Sequence, residues 1–190
     1  MWGVDALWNN ASWDIAPLPV GHPDSAALLR AYYDDIVGRH HGRPVTDAEL
    51  DEVLAEEPSD DLTAPTGHFL VGRYGGRPAG CVGLRVLDAE TAELTRLFVR
   101  PEARGTGGGR RLLEAAERAA REVLGARVMR LDTRGDLVEA RALYARSGYA
   151  EIPDYNGARY AEHWFEKRLD ERTREKIREK EDRPSRPRGR

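Results

Sequence analysis

The stretch that most constrains this chain is FVRPEARGTGGGRRLLEAAERAA, residues 98–120. An apolar run breaks at Pro101, passes glycines at 105, 107, 108 and 109, and opens into a helical pattern. Glycine is costly to order, so a cluster of glycines where strand becomes helix marks a place where bare backbone is needed. A helix N-terminus presents unpaired amides and the positive end of the macrodipole, which together attract an anion. Glycines let the backbone approach that anion and adopt the positive φ of an amide nest. With Arg104, Arg110 and Arg111 at the same end, the junction reads as a diphosphate cradle; a flexible turn with solvent-facing arginines is the plain alternative.

The rest of the chain supplies a sheet for such a junction. SWDIAPLPV (12–20) reads as a first strand, interrupted by Pro17 and Pro19. A helical pattern follows from Asp24, an expected N-cap, to about Gly38. A second helix starts near Thr46, where Thr46 and Glu49 have capping-box spacing, and ends before Pro58. HFLVGRY (68–74) and AGCVGLRVL (79–87) form a hairpin across Gly-Gly-Arg-Pro, and AELTRLFV (92–99) is the next strand. Gly107 to Leu124 is the clearest helix, with Leu112, Leu113, Ala116, Ala119, Ala120, Val123 and Leu124 on one stripe and Gly125 as its stop. ARVMRLDT (126–133) is a strand, and Asp136 caps a helix that runs to Ser147. GYAEI and EHWFEKRL close the ordered part as two strands.

Composition removes several classes. The chain has 190 residues, 40% hydrophobic and 33% charged, which suits one soluble domain. A net charge of -3 gives no basic signature for nucleic acid. No apolar run approaches the roughly 18 residues of a membrane span, and the opening MWGVDALWNNASW lacks the basic and apolar regions of a secretory signal. Cys81 is alone, which fits a reducing cytoplasm. His22, His40, His41, His68 and His163 lack metal-ligand spacing, so no metal is expected.

The cradle can be narrowed further. A Walker loop requires Gly-Lys followed by Ser or Thr, which is missing. A dinucleotide fingerprint places its glycines directly after a strand, whereas Pro101-Glu102-Ala103 intervenes here, and Asp132 lies too far along for the ribose contact. Arg104-x-x-Gly107-x-Gly109 resembles motif A of the GNAT superfamily of N-acetyltransferases. ELTRLFVRPEARGTGGGRRLL is similar to that family's central strand, loop and helix, and ARALYARSGYAEI to its Leu-Tyr-x-x-x-Gly-Phe motif, with Tyr149 in place of Phe. The resemblance covers about residues 12–169. It implies an α/β (α+β) GNAT-type fold, a mixed central sheet of about seven strands with flanking helices in the order β-α-α-β-β-β-α-β-α-β-β. Residues 1–11 are then an irregular lead, and 170–190 a charged tail read as disordered.

The resemblance also implies chemistry. Acetyl-CoA is the co-substrate: its diphosphate falls to Arg104, Gly105, Thr106, Gly107, Gly108, Gly109 and Arg110. Its pantetheine and thioester fall to the backbone of Leu97, Phe98 and Val99, with the Val99 amide as oxyanion donor. Leu137 stands where the family carries an Asn that contacts the pantetheine arm. Tyr144 matches the family's acid near the sulfur; on the residues alone it shares a helical stripe with Leu137 and Ala140 and reads as a core tyrosine. Glu93 is the candidate base. Strict strand alternation puts it on the face of Leu97 and Val99, with an exposed Glu paired to Arg96 or another base as the alternative. IPDYNGARYAEHWFEKRL (152–169) resembles the end of a bacterial GNAT subgroup, so Tyr155, Asn156 and Tyr160 line the acceptor pocket and Trp164 packs in the core. Arg159 stands where subgroup members often carry Pro. The acids of 47–61 either steer a cationic amine or form a solvated helix face. Cys81 is read as buried.

The expected activity is acetyl transfer to a primary amine, of a small molecule rather than a protein N-terminus or lysine. A non-catalytic acyl-CoA-binding module of the same fold and an NAD-binding fold are the rivals. No nucleic acid or membrane partner is expected, and pairing into a homodimer is compatible with the sequence.

Overall fold

The computed structural model describes residues 12–169. The Trp-containing lead and the charged tail lie outside the described residues. The elements are β1 (Trp13–Pro17), α1 (Pro23–His41), α2 (Asp47–Glu56), β2 (Gly67–Tyr74), β3 (Arg77–Val86), β4 (Thr91–Val99), α3 (Gly108–Glu122), β5 (Val128–Thr133), α4 (Val138–Arg146), β6 (Ala150–Ile152) and β7 (His163–Arg168). They form a mixed seven-stranded sheet in the order β1-β2-β3-β4-β5-β7-β6. Only β4 and β5 pair in parallel; the other neighbours are antiparallel.

The near-continuous apolar runs of β2 and β3 follow from burial on both faces. Leu70, Val82 and Leu84 point toward Leu112, Leu113 and Ala116 of α3. Phe69, Val71 and Cys81 point the other way, toward Leu28 and Leu29 of α1 and Leu62. The sheet therefore has a core on each side. Truncating a fully buried leucine such as Leu112 costs about 2–5 kcal/mol. On the α3 side, Lys167 of β7 donates to the buried Glu117 carboxylate, tying the helix to the far end of the sheet.

Several expected boundaries move, each for a local reason. Pro17 ends β1. Asp24 is not the cap of α1: Pro23 fills the first turn, His22 Nδ1 accepts from the Asp24 amide at 3.1 Å, and the Asp24 carboxylate takes Arg73. The helix passes through Gly38 and stops at Gly42, which is left-handed at φ 65. The β2–β3 hairpin turns on Gly75 and Gly76 alone, both at positive φ, the geometry of a two-residue loop. Val123 caps the end of α3 and is 58% exposed, so it leaves the expected stripe. Asp136 does not cap α4, because Arg134 holds its two oxygens at 2.7 and 2.8 Å; Leu137 occupies the cap position with no side-chain bond. The Thr46–Glu49 capping box forms as expected.

Two irregularities of β4 position the site. It pairs with β5 only from Thr91 to Glu93, after which its β5-facing edge is open. Farther along, the β3 register slips so that Arg96 and Leu97 both oppose Val82. This is a β-bulge, with Arg96 at φ 55. The extra residue reverses the parity of the strand. Ala92, Leu94, Leu97 and Val99 pack on the α3 side, whereas Phe98 packs on the α1 side. Glu93 thus faces α1 and α2, opposite to Leu97 and Val99, which corrects the expectation from strict alternation.

Candidate active site

The β4–α3 connection is built to leave amides free. A 3-10 turn at Pro101–Ala103 leads into Gly105 at φ 80 and Gly107 at φ 84, and Gly107 is the N-cap of α3 with no side-chain cap bond. The first backbone bond into the helix is Arg111 N to Gly107 O, at 3.2 Å. Among the described residues, the amides of Gly105, Thr106, Gly107, Gly108, Gly109 and Arg110 donate to nothing. Six successive N–H groups at a helix N-terminus, two of them on left-handed glycines, form an anion nest. The helix adds no acidic residue in its first turn to fill it.

The glycines here do different jobs. A Cβ on Gly107 would meet open space, so its positive φ is what requires glycine. A Cβ on Gly108 would collide with the indole of Trp13. That indole donates from Nε1 to Thr106 Oγ1 at 2.9 Å, and Thr106 in turn donates to the Ala103 carbonyl at 2.6 Å. The edge strand thus clamps the nest from outside. Arg104 folds back, with Nε on the Val99 carbonyl at 3.1 Å and an Nη on Asp35 of α1 at 3.1 Å. Arg110 lies along its own helix toward Glu114 at 3.4 Å.

The nest connects to the open edge of β4. The Arg100 amide bonds the Ala79 carbonyl at 2.8 Å. By the alternation of an extended strand, the Val99 amide and carbonyl point the opposite way, into the gap between β4 and β5. Tyr144, the one buried residue of α4, packs against Tyr149 and Phe165. Its hydroxyl makes no hydrogen bond among the described residues and senses Tyr32 and Asp132. Burial pushes this phenol well above the usual tyrosine range, so it keeps its proton at neutral pH.

On the α1 face of the same gap, Glu93 joins two of the three residues expected to line the acceptor pocket. It is 6% exposed. Tyr155 Oη donates to Glu93 Oε1 at 2.8 Å and Asn156 Nδ2 to the same oxygen at 3.3 Å, while Arg85 donates to Oε2 at 2.8 Å. The ion-pair partner of Glu93 is thus Arg85, itself shared with Asp61, and not Arg96. Asn156 Nδ2 also reaches Asp132 Oδ2 at 2.7 Å, and its Oδ1 accepts from Trp164 Nε1 at 2.8 Å and from the Ala158 amide at 3.2 Å. Every polar atom of that amide group is engaged. Its orientation is fixed, and it bridges two carboxylates.

Burial raises the Asp132 carboxyl above its ordinary value; the bond from Asn156 works against the shift and the Glu93 charge adds to it. Burial likewise pushes the Tyr155 phenol well up, with the Glu93 charge contributing.

Tyr160 stands apart from this group. Its ring meets His40, at the end of α1, at 5.6 Å and is 55% exposed. Trp164 is half-buried and holds Asn156 rather than filling the core. Half of the acids of 47–61 are held closely by arginines: Asp47 and Asp51 by Arg30, Glu49 by Arg43, Asp61 by Arg85. Cys81 is buried and its thiol is pushed up to about 12, which makes it a poor nucleophile. Sequence reasoning missed Asp132, Arg85 and Arg96. The alternation of β5 does mark Asp132 as the opposite face from Met129 and Leu131, but nothing local says that Asn156 meets it.

Comparison with known proteins places these features in a family. The model of the acetyltransferase (GNAT) family matches residues 10–149. The chain is 31% identical to an uncharacterized N-acetyltransferase of Schizosaccharomyces pombe over 149 residues, covering 77% of this chain and 87% of the relative. It is 40% identical over 92 residues to an IAA acetyltransferase of Azospirillum brasilense, a match spanning 47% of this chain and 59% of the relative. Among solved structures, a PaiA N-acetyltransferase from Thermoplasma acidophilum in complex with coenzyme A superposes with a TM-score of 0.64 at 20% identity. That superposition covers 83% of this chain and 99% of the other and shows a shared fold.

Proposed function

The chain belongs to the acetyltransferase (GNAT) family, and we propose that it transfers an acetyl group from acetyl-CoA to a primary amine of a small molecule by direct attack. The observation that carries this reading is the succession along one strand of the Glu93 carboxylate, the open edge of β4 and the six free amides of Gly105–Arg110 that follow it. A diphosphate suits the nest, as its charge and acceptor oxygens match a row of amides and a helix dipole. The open edge at Leu97, Phe98 and Val99 receives the pantetheine, and the Val99 amide donates to the thioester oxygen as it gains negative charge.

The amine enters from the α1 side. An amine of pKa about 10 is mostly protonated at neutral pH and cannot attack. Handing its proton to a carboxylate of pKa about 4.3 before attack would be steeply uphill. The fraction that has released its extra proton to solvent attacks as free amine; as the C–N bond forms the nitrogen becomes far more acidic, and Glu93 accepts a proton from it directly or through a water. Arg85, Tyr155 and Asn156 hold the Glu93 carboxylate aimed for that step. The C–S bond then breaks. The departing thiolate belongs to a thiol of pKa about 8.5, well below that of the buried Tyr144 phenol. Tyr144 therefore stabilises the thiolate by donating a hydrogen bond, and solvent completes the protonation.

Calorimetry with coenzyme A, followed by a thiol-release assay against aminoglycosides, polyamines, amino acids and N-terminal peptides, tests the proposal. Uptake of coenzyme A with thiol release on a small amine is expected. Tyr144→Phe should lower kcat about tenfold, the order of one lost charge-assisted hydrogen bond, with coenzyme A affinity unchanged. Uptake without turnover on any acceptor would leave only a binding module.

A further inference from the structure

Two charges in the cleft lack an adequate partner, and they are opposite in sign. Arg96 is 9% exposed, yet its Nε has no acceptor. Its nearest carboxylate, Glu57 Oε2, is 3.7 Å away on a side chain 60% exposed. Its other contacts are the Thr95 hydroxyl at 3.0 Å, the Glu57 carbonyl at 3.5 Å and the faces of Tyr33 and Tyr32. A guanidinium taken out of water this far normally has a close carboxylate. Arg96 is also the one non-glycine residue with a positive φ among the described residues, and such backbone persists where the surroundings enforce it, often at functional sites. The negative counterpart is Asp132. Its hydrogen bond comes from neutral Asn156, and it forms no ion pair among the described residues, whereas Glu93 has Arg85. Arg96 and Asp132 follow Glu93 and Arg130, the last pair of the β4–β5 ladder, by three and two residues, so they flank the opening between the strands without pairing.

We infer that the acceptor carries a carboxylate beside its amine: an amino acid-like zwitterion whose ammonium meets Asp132 and whose carboxylate takes Arg96. The inference rests on the reading of this cleft as the amine site. Asp132 and Arg96 then determine specificity, and Asn156 is a positioning residue that fixes the spacing between Asp132 and the proton acceptor Glu93. A bare amine would satisfy Asp132 and leave Arg96 as it is; a bare carboxylate would do the reverse. Only a molecule with both groups neutralises the pair.

The test uses acceptor pairs that differ only in the carboxylate: L-phenylalanine with phenethylamine, L-leucine with isopentylamine, and 4-aminobutyrate with propylamine. In the wild-type protein, kcat/KM from thiol release should favour the carboxylated member of at least one pair by about tenfold or more, the scale of one charged hydrogen bond. Arg96→Gln should bring that ratio near one with coenzyme A affinity retained, which a merely structural role for Arg96 would not do. Should Arg96→Gln fail to fold, the wild-type ratio decides alone. Ratios at or below one in all three pairs overturn the inference while leaving acetyl transfer to bare amines intact. Coenzyme A uptake with no acetylation of any of the six, while another amine of the wider panel is acetylated, overturns this inference and leaves the amine reading of the cleft; no acetylation of any amine in either set removes both. Failure to bind coenzyme A removes the proposed function as a whole.

Discussion

The nest proposed for the diphosphate and the cleft proposed for the acceptor lie along one gap in the sheet, and they are built from different materials. The nest is backbone: Gly105 to Arg110, six neighbours in sequence, whose conformation creates the site. The cleft is side chain: Glu93 from β4, Asp132 from β5, Arg85 from β3, and Tyr155 and Asn156 from the β6–β7 connection meet through hydrogen bonds across the sheet. A backbone site depends on φ, ψ and the absence of side chains, so it accepts any ligand with the right charge and oxygens. A side-chain site sorts ligands by where each charge falls. The division suits a protein with one invariant co-substrate and a selective second substrate.

The sharpest way to break this division is at Glu93. Glu93→Gln keeps the shape and removes the proton acceptor, so kcat/KM should fall about 10²–10³-fold, within the range of general-base contributions. The loss should be greatest toward lower pH, where removal of the amine proton limits the rate. Coenzyme A affinity should not change. A Glu93→Gln protein that turns over normally across the pH range makes Glu93 a structural ion pair of Arg85; one that loses coenzyme A means that nest and cleft are energetically coupled. The reciprocal change is Gly107→Val. A β-branched residue at φ 84 strains the backbone by about 1–2 kcal/mol, and relief of that strain should distort the amides. Coenzyme A affinity should weaken about tenfold, with the acceptor KM unaffected.

The same contrast explains why the amino-acid sequence reveals one end of the gap more fully than the other. The nest is legible there because its cause is local: glycines at fixed positions after a strand. The Thr46–Glu49 capping box is legible for the same reason. Asp24 and Asp136 fail as caps because arginines take their carboxylates, Arg73 from 49 residues away and Arg134 from two. In the cleft, strand position names Glu93 and family resemblance names Tyr155 and Asn156, but their meeting is not legible, since each hydrogen bond spans more than sixty positions. Alternation misplaces the face of Glu93 because it assumes an unbroken register, and the bulge at Arg96 reverses it. The subgroup resemblance groups Tyr160 with Tyr155, and the loop carries it to α1 instead.

Trp13 sharpens the comparison, because it is a side chain serving the backbone site. Its indole buttresses Gly108 and bonds Thr106 from the sheet edge. Trp13→Phe keeps an aromatic ring there and deletes the hydrogen bond, which is worth about 0.5–1.5 kcal/mol. Coenzyme A affinity should weaken two- to tenfold by that conversion, read by calorimetry, with the carboxylate preference among acceptors unaltered. An unchanged affinity would make the nest self-supporting and reduce Trp13 to packing.

The smallest effect concerns stability, and its sign separates a built binding site from a structural clasp. Burial raises the Asp132 carboxyl in the folded protein above its unfolded value of about 3.9. The folded state therefore holds that proton more tightly, and stability is lost as pH rises from the unfolded value through the folded one. At neutral pH the ionised side chain carries the whole penalty. Asp132→Asn removes the charge and keeps an oxygen to accept from Asn156. Its melting temperature should exceed that of the wild type at neutral pH, by a few degrees at most, and the two curves should converge in strong acid, where both side chains are neutral. The same substitution should lower kcat/KM, since stability sacrificed at a site is recovered when its function is removed. A lower melting temperature at neutral pH would mean that the charged bond to Asn156 outweighs desolvation, and Asp132 would then be holding the β6–β7 connection in place rather than waiting for a cation.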